Sequence, residues 1–307
     1  MTVEMMVDRL EDLKTAVTQR LQIGQQLAEL GDPRPGVSVK NGVPEINWLP
    51  VYPGGELMLL RHWQPDTPNE TESFRQIGPF IVEPFYISKY LVTYKQYQTF
   101  VEAEDGFTNP IWWREFPEDF QQQPLAKQYN PRPNHPRDTV SWYQCVAFAR
   151  WLNQQLTGFT LPHPSSLQEW EIGKNAQIRL PTEWEWQWAA QNGVEERPFP
   201  WGEAQPNVAN TAETESKQTT AVGMFPHGAA ACGALDMAGN VMEWCFNDKT
   251  NPATIDAAST KTKVLRGGDW GYNLANATTN YCDDEKPDGL DPLNGFRLVL
   301  GPILQNE

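Results

Sequence analysis

The sequence predicts an α+β fold with an N-terminal helical segment, and three observations support this prediction. Apolar residues recur at helical spacing between residues 4 and 31, and again near residues 94–101 and 145–152. Beyond residue 190 the chain changes to short apolar runs separated by glycine and proline, which is typical of irregular β structure. No βαβ alternation joins the two parts, so a parallel α/β sheet is not expected. With 39% hydrophobic residues and 13 Trp in 307 residues, the chain can form a folded core.

Residues 1–36 are predicted to form a helical segment and a linker ahead of one domain that covers residues 37–307. Apolar residues from Met5 to Leu27 lie three or four positions apart, which predicts a single helix over about residues 4–31. Gly31 is expected to end this helix, and the sequence DPRPG at residues 32–36 is typical of a rigid connector.

The following region is predicted to be β structure. Residues 40–60 alternate like a hairpin, with residues 53–55 (PGG) as its turn. Residues 80–90 are rich in β-branched and aromatic side chains, which favours a strand.

Three further helices are predicted from capping signals and apolar faces. Thr93 is a candidate N-cap for a helix that begins at about Tyr94. The sequence TVSW at residues 139–142 leads into a second amphipathic helix, which is expected to end near Gly158. Thr182 followed by Glu185 has the spacing of a capping box.

Composition excludes several classes of function. The net charge of −15, without a basic cluster, argues against nucleic-acid binding, because phosphates would be repelled. No run approaches the roughly 18 apolar residues that a membrane helix needs, and the acidic N-terminus does not resemble a signal peptide. Four widely spaced cysteines are expected to be free thiols. We therefore expect a cytoplasmic protein that binds neither nucleic acid nor membrane, with a monomer favoured.

Residues 264–300, here called the tail, carry the most informative pattern. The two ends of the tail, LRGGDW at 265–270 and GFRLVL at 295–300, read as strands with tight glycine turns. Its middle, residues 271–294, follows neither a helical nor a strand period and is rich in small, polar and acidic residues. A long irregular segment between two strands usually belongs to a binding or active surface. The arginines at the two ends, Arg266 and Arg297, are expected to form buried ion pairs with the body of the protein.

Several motifs, taken together and in order, resemble the formylglycine-generating enzyme (sulfatase-modifying factor) family, a branch of the C-type lectin fold. The resemblance runs from about residue 48 to residue 300. Its motifs are NHP (134–136), VSW (140–142), RLPTEWEW (179–186), PWG (200–202), AVG (221–223), LDMAGNVMEW (235–244), RGG (266–268) and GFR (295–297). The resemblance implies a C-type lectin-like domain of the formylglycine-generating-enzyme subtype.

The resemblance also bears on catalysis. Enzymes of that family hold copper with two cysteines inside the tail, and soft thiolates suit Cu(I). At approximately these positions the present chain has Tyr272 and Ala277, while Cys282 stands alone. The resemblance therefore implies a protein without that chemistry and without a required cofactor. The alternative is a divergent copper or iron oxidoreductase that uses Cys282 with a distant residue.

A structural calcium ion is implied at one segment. Members of the resembled family bind calcium through the equivalents of the Asp236 and Glu243 side chains and of the Gly239 and Val241 carbonyls. Two carboxylates with carbonyl oxygens between them are suitable hard ligands for Ca²⁺. The alternative is that Asp236 and Glu243 cap turns and pair with arginines.

The tail resembles the variable region of the variable proteins of diversity-generating retroelements, which are relatives of this family. The resemblance implies a ligand-binding surface on a fixed scaffold, with residues 264–300 as the candidate variable region. The predicted contact residues are Asp269, Gly271, Tyr272, Asn273, Ala275, Asn276, Thr278, Asn280, Cys282, Asp283, Asp284, Lys286, Gly289, Asp291 and Leu293.

The excess of acidic residues in the tail predicts a protein or other macromolecular partner with exposed Lys or Arg. Tyr272, Tyr281, Leu290 and Leu293 are candidate apolar anchors for such a partner. Two alternatives are open: a solvated loop that has drifted in sequence, and a structural or regulatory subunit whose tail is buried against a fixed partner.

Overall fold

The computed structural model describes residues 1–63, 73–121 and 123–304. Within these ranges the α-helices are α1 (Val3–Glu11), α2 (Val17–Leu30), α3 (Tyr94–Glu102), α4 (Trp142–Gln155) and α5 (Glu183–Gln191). The strands are β1 (Val39–Lys40), β2 (Val43–Pro44), β3 (Trp48–Val51), β4 (Gly55–Trp63), β5 (Ser73–Val82), β6 (Phe85–Ser88), β7 (Thr160–Pro162), β8 (Glu169–Glu171), β9 (Ala176–Arg179), β10 (Met242–Asp248), β11 (Lys263–Arg266), β12 (Cys282–Glu285), β13 (Asn294–Gly295) and β14 (Val299–Pro302). The chain therefore has a mixed α and β fold.

Two four-stranded sheets organise the domain, and the tail contributes to both. The first sheet has the order β12-β11-β10-β13, and the second has the order β3-β6-β14-β9. In the second sheet β14 runs antiparallel to both of its neighbours. Three of the four strands of the first sheet, β11, β12 and β13, contain tail residues. The two ends of the tail are therefore fixed in different sheets.

The helices α3 and α5 begin at the predicted caps, and α4 begins within the predicted segment, at a cap formed by Ser141. The hydroxyls of Thr93, Ser141 and Thr182 accept from the backbone N–H three residues later, and in each case a Gln or Glu side chain at that position completes a capping box. The helix α4 lies in the main core, where Trp142, Phe148 and Leu152 are fully buried. These local predictions are confirmed.

The N-terminal segment differs from the single predicted helix. Two helices, α1 and α2, are separated by residues 12–16. The Arg20 guanidinium of α2 donates to the carbonyl oxygens of Leu10, Asp12 and Thr15, so the last carbonyls of α1 are satisfied by a side chain. Gly31, at φ 97°, ends α2 as predicted. Both helices pack against a cluster that includes Ala221, Met224 and Phe225.

The predicted hairpin over residues 40–60 is wrong. Residues 53–55 do not join paired strands, because β3 pairs with β6 and β4 pairs with β5. The region instead contains a small hairpin of β1 and β2, followed by β3 and β4, which belong to two different sheets. The strand predicted over residues 80–90 is likewise divided, between the end of β5 and β6.

The middle of the tail is less irregular than the sequence indicates. Residues 282–285 form β12, which pairs antiparallel with β11 over the partners Arg266–Cys282 to Lys263–Glu285. Residues 274–277 form a short 3-10 helix. The irregular part is therefore confined to residues 271–273, 278–281 and 286–293.

No helix within the described ranges is long and apolar enough to cross a membrane.

Candidate functional site

The first end of the tail is held by Arg266, which is fully buried. Its guanidinium donates to Glu183 Oε1 at 2.7 Å and to Gln187 Oε1 at 2.8 Å on α5. It also donates to the carbonyl oxygens of Thr279 (3.0 Å) and Tyr281 (3.3 Å) in the middle of the tail. The predicted ion pair is therefore confirmed, and the same side chain connects α5 to the backbone of the tail.

Glu183, the partner of Arg266, is shared with a second arginine. Arg61 on β4 pairs with both carboxylate oxygens of Glu183. The two guanidiniums hold the pKa of Glu183 down at about 2, although burial alone would raise it. Glu183 therefore stays ionised in the core at neutral pH. The sequence predicted that Arg266 would be paired but did not identify Glu183 or Arg61.

Arg297 anchors the second end of the tail. Its Nε and Nη2 atoms donate to the two oxygens of Glu243 at 2.5 Å and 2.7 Å. It also donates to the carbonyl oxygens of Ser88 (3.1 Å) and Leu235 (2.9 Å). Both members of the ion pair are fully buried. The second predicted ion pair is confirmed, and it binds the GFR motif to β10 and β6.

A glycine turn brings the 3-10 helix of the tail close to the end of β11. Gly267 and Gly268 have φ of 94° and 66°, which side-chain-bearing residues rarely adopt. A Cβ atom at Gly268 would lie 2.5 Å from the carbonyl oxygen of Asn276. Only glycine therefore fits at position 268 with the tail in this arrangement.

The predicted contact residues divide into three groups by exposure. The exposed residues are Gly271, Tyr272, Asn273, Ala275, Asp284 and Lys286. The half-buried residues are Asn276, Thr278, Asn280, Asp283, Gly289, Asp291 and Leu293. Asp269 and Cys282 are buried, with 0% and 7% exposure. Most of these residues therefore reach the surface, whereas Cys282 belongs to the core and Asp269 lies beneath Gly271 and Tyr272.

Only one of the two carboxylate oxygens of Asp269 accepts a hydrogen bond from the described residues. Its Oδ1 atom accepts from the backbone N–H of Gly271 at 2.7 Å and of Tyr272 at 3.2 Å. Its Oδ2 atom is buried, and the described residues place no hydrogen-bond donor on it. Burial, together with the smaller effect of the Asp291 and Asp283 charges, raises the pKa of Asp269 to about 6, although the hydrogen bonds from Gly271 and Tyr272 act in the opposite direction. Within the described part of the chain, the tail thus contains a buried carboxylate oxygen that accepts no hydrogen bond.

Aromatic side chains surround the same region. The rings of Tyr272 and Tyr281 meet edge to face, with centroids 6.4 Å apart. Trp270 stacks on Tyr129 at 6.2 Å, and Tyr129 is 58% exposed. The indole N–H of Trp270 is buried and has no acceptor in the described part of the chain. Tyr129 was missed because it lies in a proline-rich loop, and no sequence signal connects that loop to the tail.

The geometry of the segment predicted to bind calcium favours the ion-pair alternative for Glu243. Both Glu243 oxygens accept from Arg297, and Oε2 also accepts from the Trp186 indole at 2.9 Å. Asp236 accepts from the backbone N–H of Gly223 at 2.6 Å. As arranged, Glu243 does not fit a calcium ion, because a guanidinium occupies the position that the cation would need. Calcium binding at Asp236, Gly239, Val241 and Glu243 stays a prediction.

The four cysteines are free, as predicted; Cys145, Cys245 and Cys282 are buried and Cys232 is half-buried. The Sγ atom of Cys282 lies 3.2 Å from Lys249 Nζ. Among residues 1–63, 73–121 and 123–304, no three His, Cys, Asp or Glu side chains are grouped so that they could hold a metal ion.

Comparison with known proteins places the chain among recognisable relatives. The family described as sulfatase-modifying factor enzyme 1-like domain matches residues 51–301. The formylglycine-generating enzyme of Thermomonospora curvata is 28% identical over 285 residues, which cover 72% of this chain and 84% of that protein. The mouse protein named inactive C-alpha-formylglycine-generating enzyme 2 is 28% identical over 274 residues, covering 80% and 83% of the two chains.

A solved structure has a similar fold. Treponema denticola variable protein 1 is similar with a TM-score of 0.53 over 84% of this chain and 96% of that chain. Its sequence identity of 20% restricts this similarity to the fold.

Proposed function

This chain belongs to the family described as sulfatase-modifying factor enzyme 1-like domain, and we propose that it is a non-enzymatic protein that displays a ligand-binding surface on a C-type lectin-like scaffold. The surface is formed by the exposed and half-buried residues of the tail between Gly271 and Leu293. Its sequence is proposed to be diversified by a retroelement, as in the variable proteins that the tail resembles.

The observation that carries this proposal is the contrast between the ends and the middle of the tail. The ends are fixed by buried arginines, Arg266 and Arg297, each bound to a carboxylate and to backbone carbonyls. Between them, Tyr272 and Asn273 are exposed. A rigid frame that carries small, polar and tyrosine side chains is the arrangement used by antibody loops, where it combines contact area with adaptable hydrogen bonds.

The proposal includes the statement that this protein is not an enzyme. Relatives at 28% identity include proteins named as an enzyme and as an inactive enzyme, so membership of the family supports either reading. Tyr272 and Ala277 stand at the approximate positions of the copper-binding cysteines, and neither side chain offers a thiolate. A cytoplasmic location is proposed with it, because four unpaired thiols suit a reducing compartment.

Metal analysis with an oxygen electrode tests the proposal. The purified protein, incubated with Cu(I) or Fe(II) and a thiol reductant, is expected to retain no stoichiometric metal and to consume no oxygen above the reductant control. A variant with Cys282 replaced by Ser is the matched control. Stoichiometric copper or iron with oxygen consumption that is lost in Cys282→Ser would overturn the binding function and favour the oxidoreductase.

Diversification is tested separately, at the level of the genome. We expect a near-identical copy of the tail's coding sequence, differing at adenines, beside a reverse transcriptase gene. Without such a copy the diversification proposal fails, whereas the proposal of a binding surface does not depend on it.

A further inference from the structure

We infer that the tail surface recognises a lysine side chain of a partner protein, with the ammonium group bound at Asp269. This inference deepens the proposed function and depends on it. Its starting point is the Oδ2 atom of Asp269, which is fully buried and has no hydrogen-bond donor within the described residues. A buried carboxylate oxygen without a partner costs free energy, and a ligand that supplies a donor would recover it.

The surroundings of Asp269 favour a cation. Asp283 and Asp291 act on Asp269 through their charges, and the same carboxylates act on Tyr272. Within the described residues, no Lys or Arg donates to Asp269: Oδ1 accepts from two backbone N–H groups and Oδ2 from no donor. A negative site of this kind attracts a positive group, and the ring of Tyr272, which is 39% exposed, can face the apolar stem or the charge of that group.

The hydrogen bonds already made by Asp269 favour lysine over arginine. Oδ1 is engaged by the backbone N–H groups of Gly271 and Tyr272. Arginine binds carboxylates best when both oxygens accept from its planar fork. A lysine ammonium is a point charge with three donors, so it can use Oδ2 alone and turn its other donors to neighbouring carboxylates.

Asp269 is fully buried, and the residue beside it that reaches the surface is Gly271. Gly271 has no side chain, and its backbone N–H donates to Asp269 Oδ1. A Cβ atom there would lie 3.2 Å from Asp269 Oδ1 and 3.8 Å from Leu293 Cδ2. We therefore propose that the ligand reaches the carboxylate beside Gly271, between Tyr272 and Leu293. Any larger residue at position 271 would cover the carboxylate without changing the charge.

Isothermal titration with short peptides tests this inference. The probes are acetyl-Gly-Gly-Xaa-Gly-Gly-amide with Xaa as Lys, Arg or norleucine, added to the full chain at low ionic strength and millimolar concentration. Lysine is expected to bind more tightly than arginine, and norleucine is expected not to bind. Asp269→Asn keeps the Oδ1 acceptor and should weaken lysine binding about tenfold, which corresponds to about 1.4 kcal/mol.

Two further variants separate the specific site from general attraction. Gly271→Leu keeps every charge and should weaken lysine binding as much as Asp269→Asn does. Asp288→Asn removes one exposed charge of the same tail and should leave the affinity nearly unchanged. Thermal unfolding of each variant checks that it is folded.

Several results would overturn the inference: no binding of the lysine peptide, equal binding of norleucine, tighter binding of arginine, or equal weakening by Asp288→Asn. If the variants are folded, these results do not contradict the proposed function, because the tail could bind a ligand of a different chemical class. The proposed function fails instead if replacement of exposed tail residues unfolds the protein.

Discussion

Two buried carboxylates near the tail, Glu183 and Asp269, have opposite environments. Glu183 is enclosed by Arg61 and Arg266, and its pKa is lowered to about 2. Asp269 has no cationic partner in the described structure, and its pKa is raised to about 6. The first arrangement stabilises the ionised form and holds the frame together. The second leaves a charge uncompensated, which is typical of a site prepared for a ligand.

The largest expected effect comes from removing the charge of Glu183. Glu183→Gln leaves two buried guanidiniums without their counter-charge, and breaking such a pair costs ~3–5 kcal/mol. Urea unfolding monitored by tryptophan fluorescence measures the loss. Glu195→Gln, which breaks the exposed pair with Arg197, is the control and should leave the unfolding midpoint unchanged. An equal effect of the two variants would contradict the structural role of Glu183.

The second prediction uses the pH dependence of stability, which should have opposite signs at the two carboxylates. The pKa of Asp269 is raised from 3.8 to about 6, so the folded state holds its proton more tightly than the unfolded state. Stability from this group is therefore present below about pH 4 and is lost as the pH rises to about 6. For Glu183, whose pKa is lowered from 4.5 to about 2, stability is present above pH 4.5 and is lost as the pH falls toward 2.

The difference in unfolding free energy between wild type and Asp269→Asn measures this contribution. As the pH rises from about 4 to 6, the unfolding free energy of the wild type should fall by ~2–3 kcal/mol relative to that of Asp269→Asn. A difference that does not change over this interval would show that the Asp269 carboxylate is compensated in the folded state.

The smallest expected effect is that of calcium. Because both Glu243 oxygens accept from Arg297, we expect the melting temperature to be the same in excess EDTA and in millimolar CaCl₂. Differential scanning calorimetry makes the comparison, with MgCl₂ as the control for ionic strength. A rise specific to calcium, abolished by Asp236→Asn, would instead support the site implied by the resemblance.

Features that depend on neighbouring residues were predictable from the sequence. The caps at Thr93 and Thr182 need only a hydroxyl and a Gln or Glu three residues later, so the pattern determines the structure. The burial of Arg266 and Arg297 was predictable from their place among glycines and apolar residues. Their partners were not, because Glu183 and Glu243 are separated from them by 83 and 54 positions in the chain.

Strand pairing was the main failure of the sequence prediction. Alternation in residues 40–60 indicates strands but not their neighbours, and here β3 and β4 pair with different partners. The sequence CDDE of β12 has low strand propensity, yet it forms a strand because β11 offers a free edge. The half-satisfied state of Asp269 could not be predicted either, since it depends on how the backbone at Gly271 and Tyr272 folds around one oxygen.

Thermal unfolding of a library substituted at the exposed tail positions tests the central claim most directly. Each of six positions would be changed to those of Ser, Asn, Tyr and Asp that it does not already carry, with Arg266→Met and Arg297→Met as anchor controls: Gly271, Tyr272, Asn273, Ala275, Asp284 and Lys286. We predict melting temperatures close to wild type for most exposed replacements and a large loss for both anchor variants. If most exposed replacements unfold the protein as the anchor variants do, the tail is a structural element and the proposed binding surface is wrong.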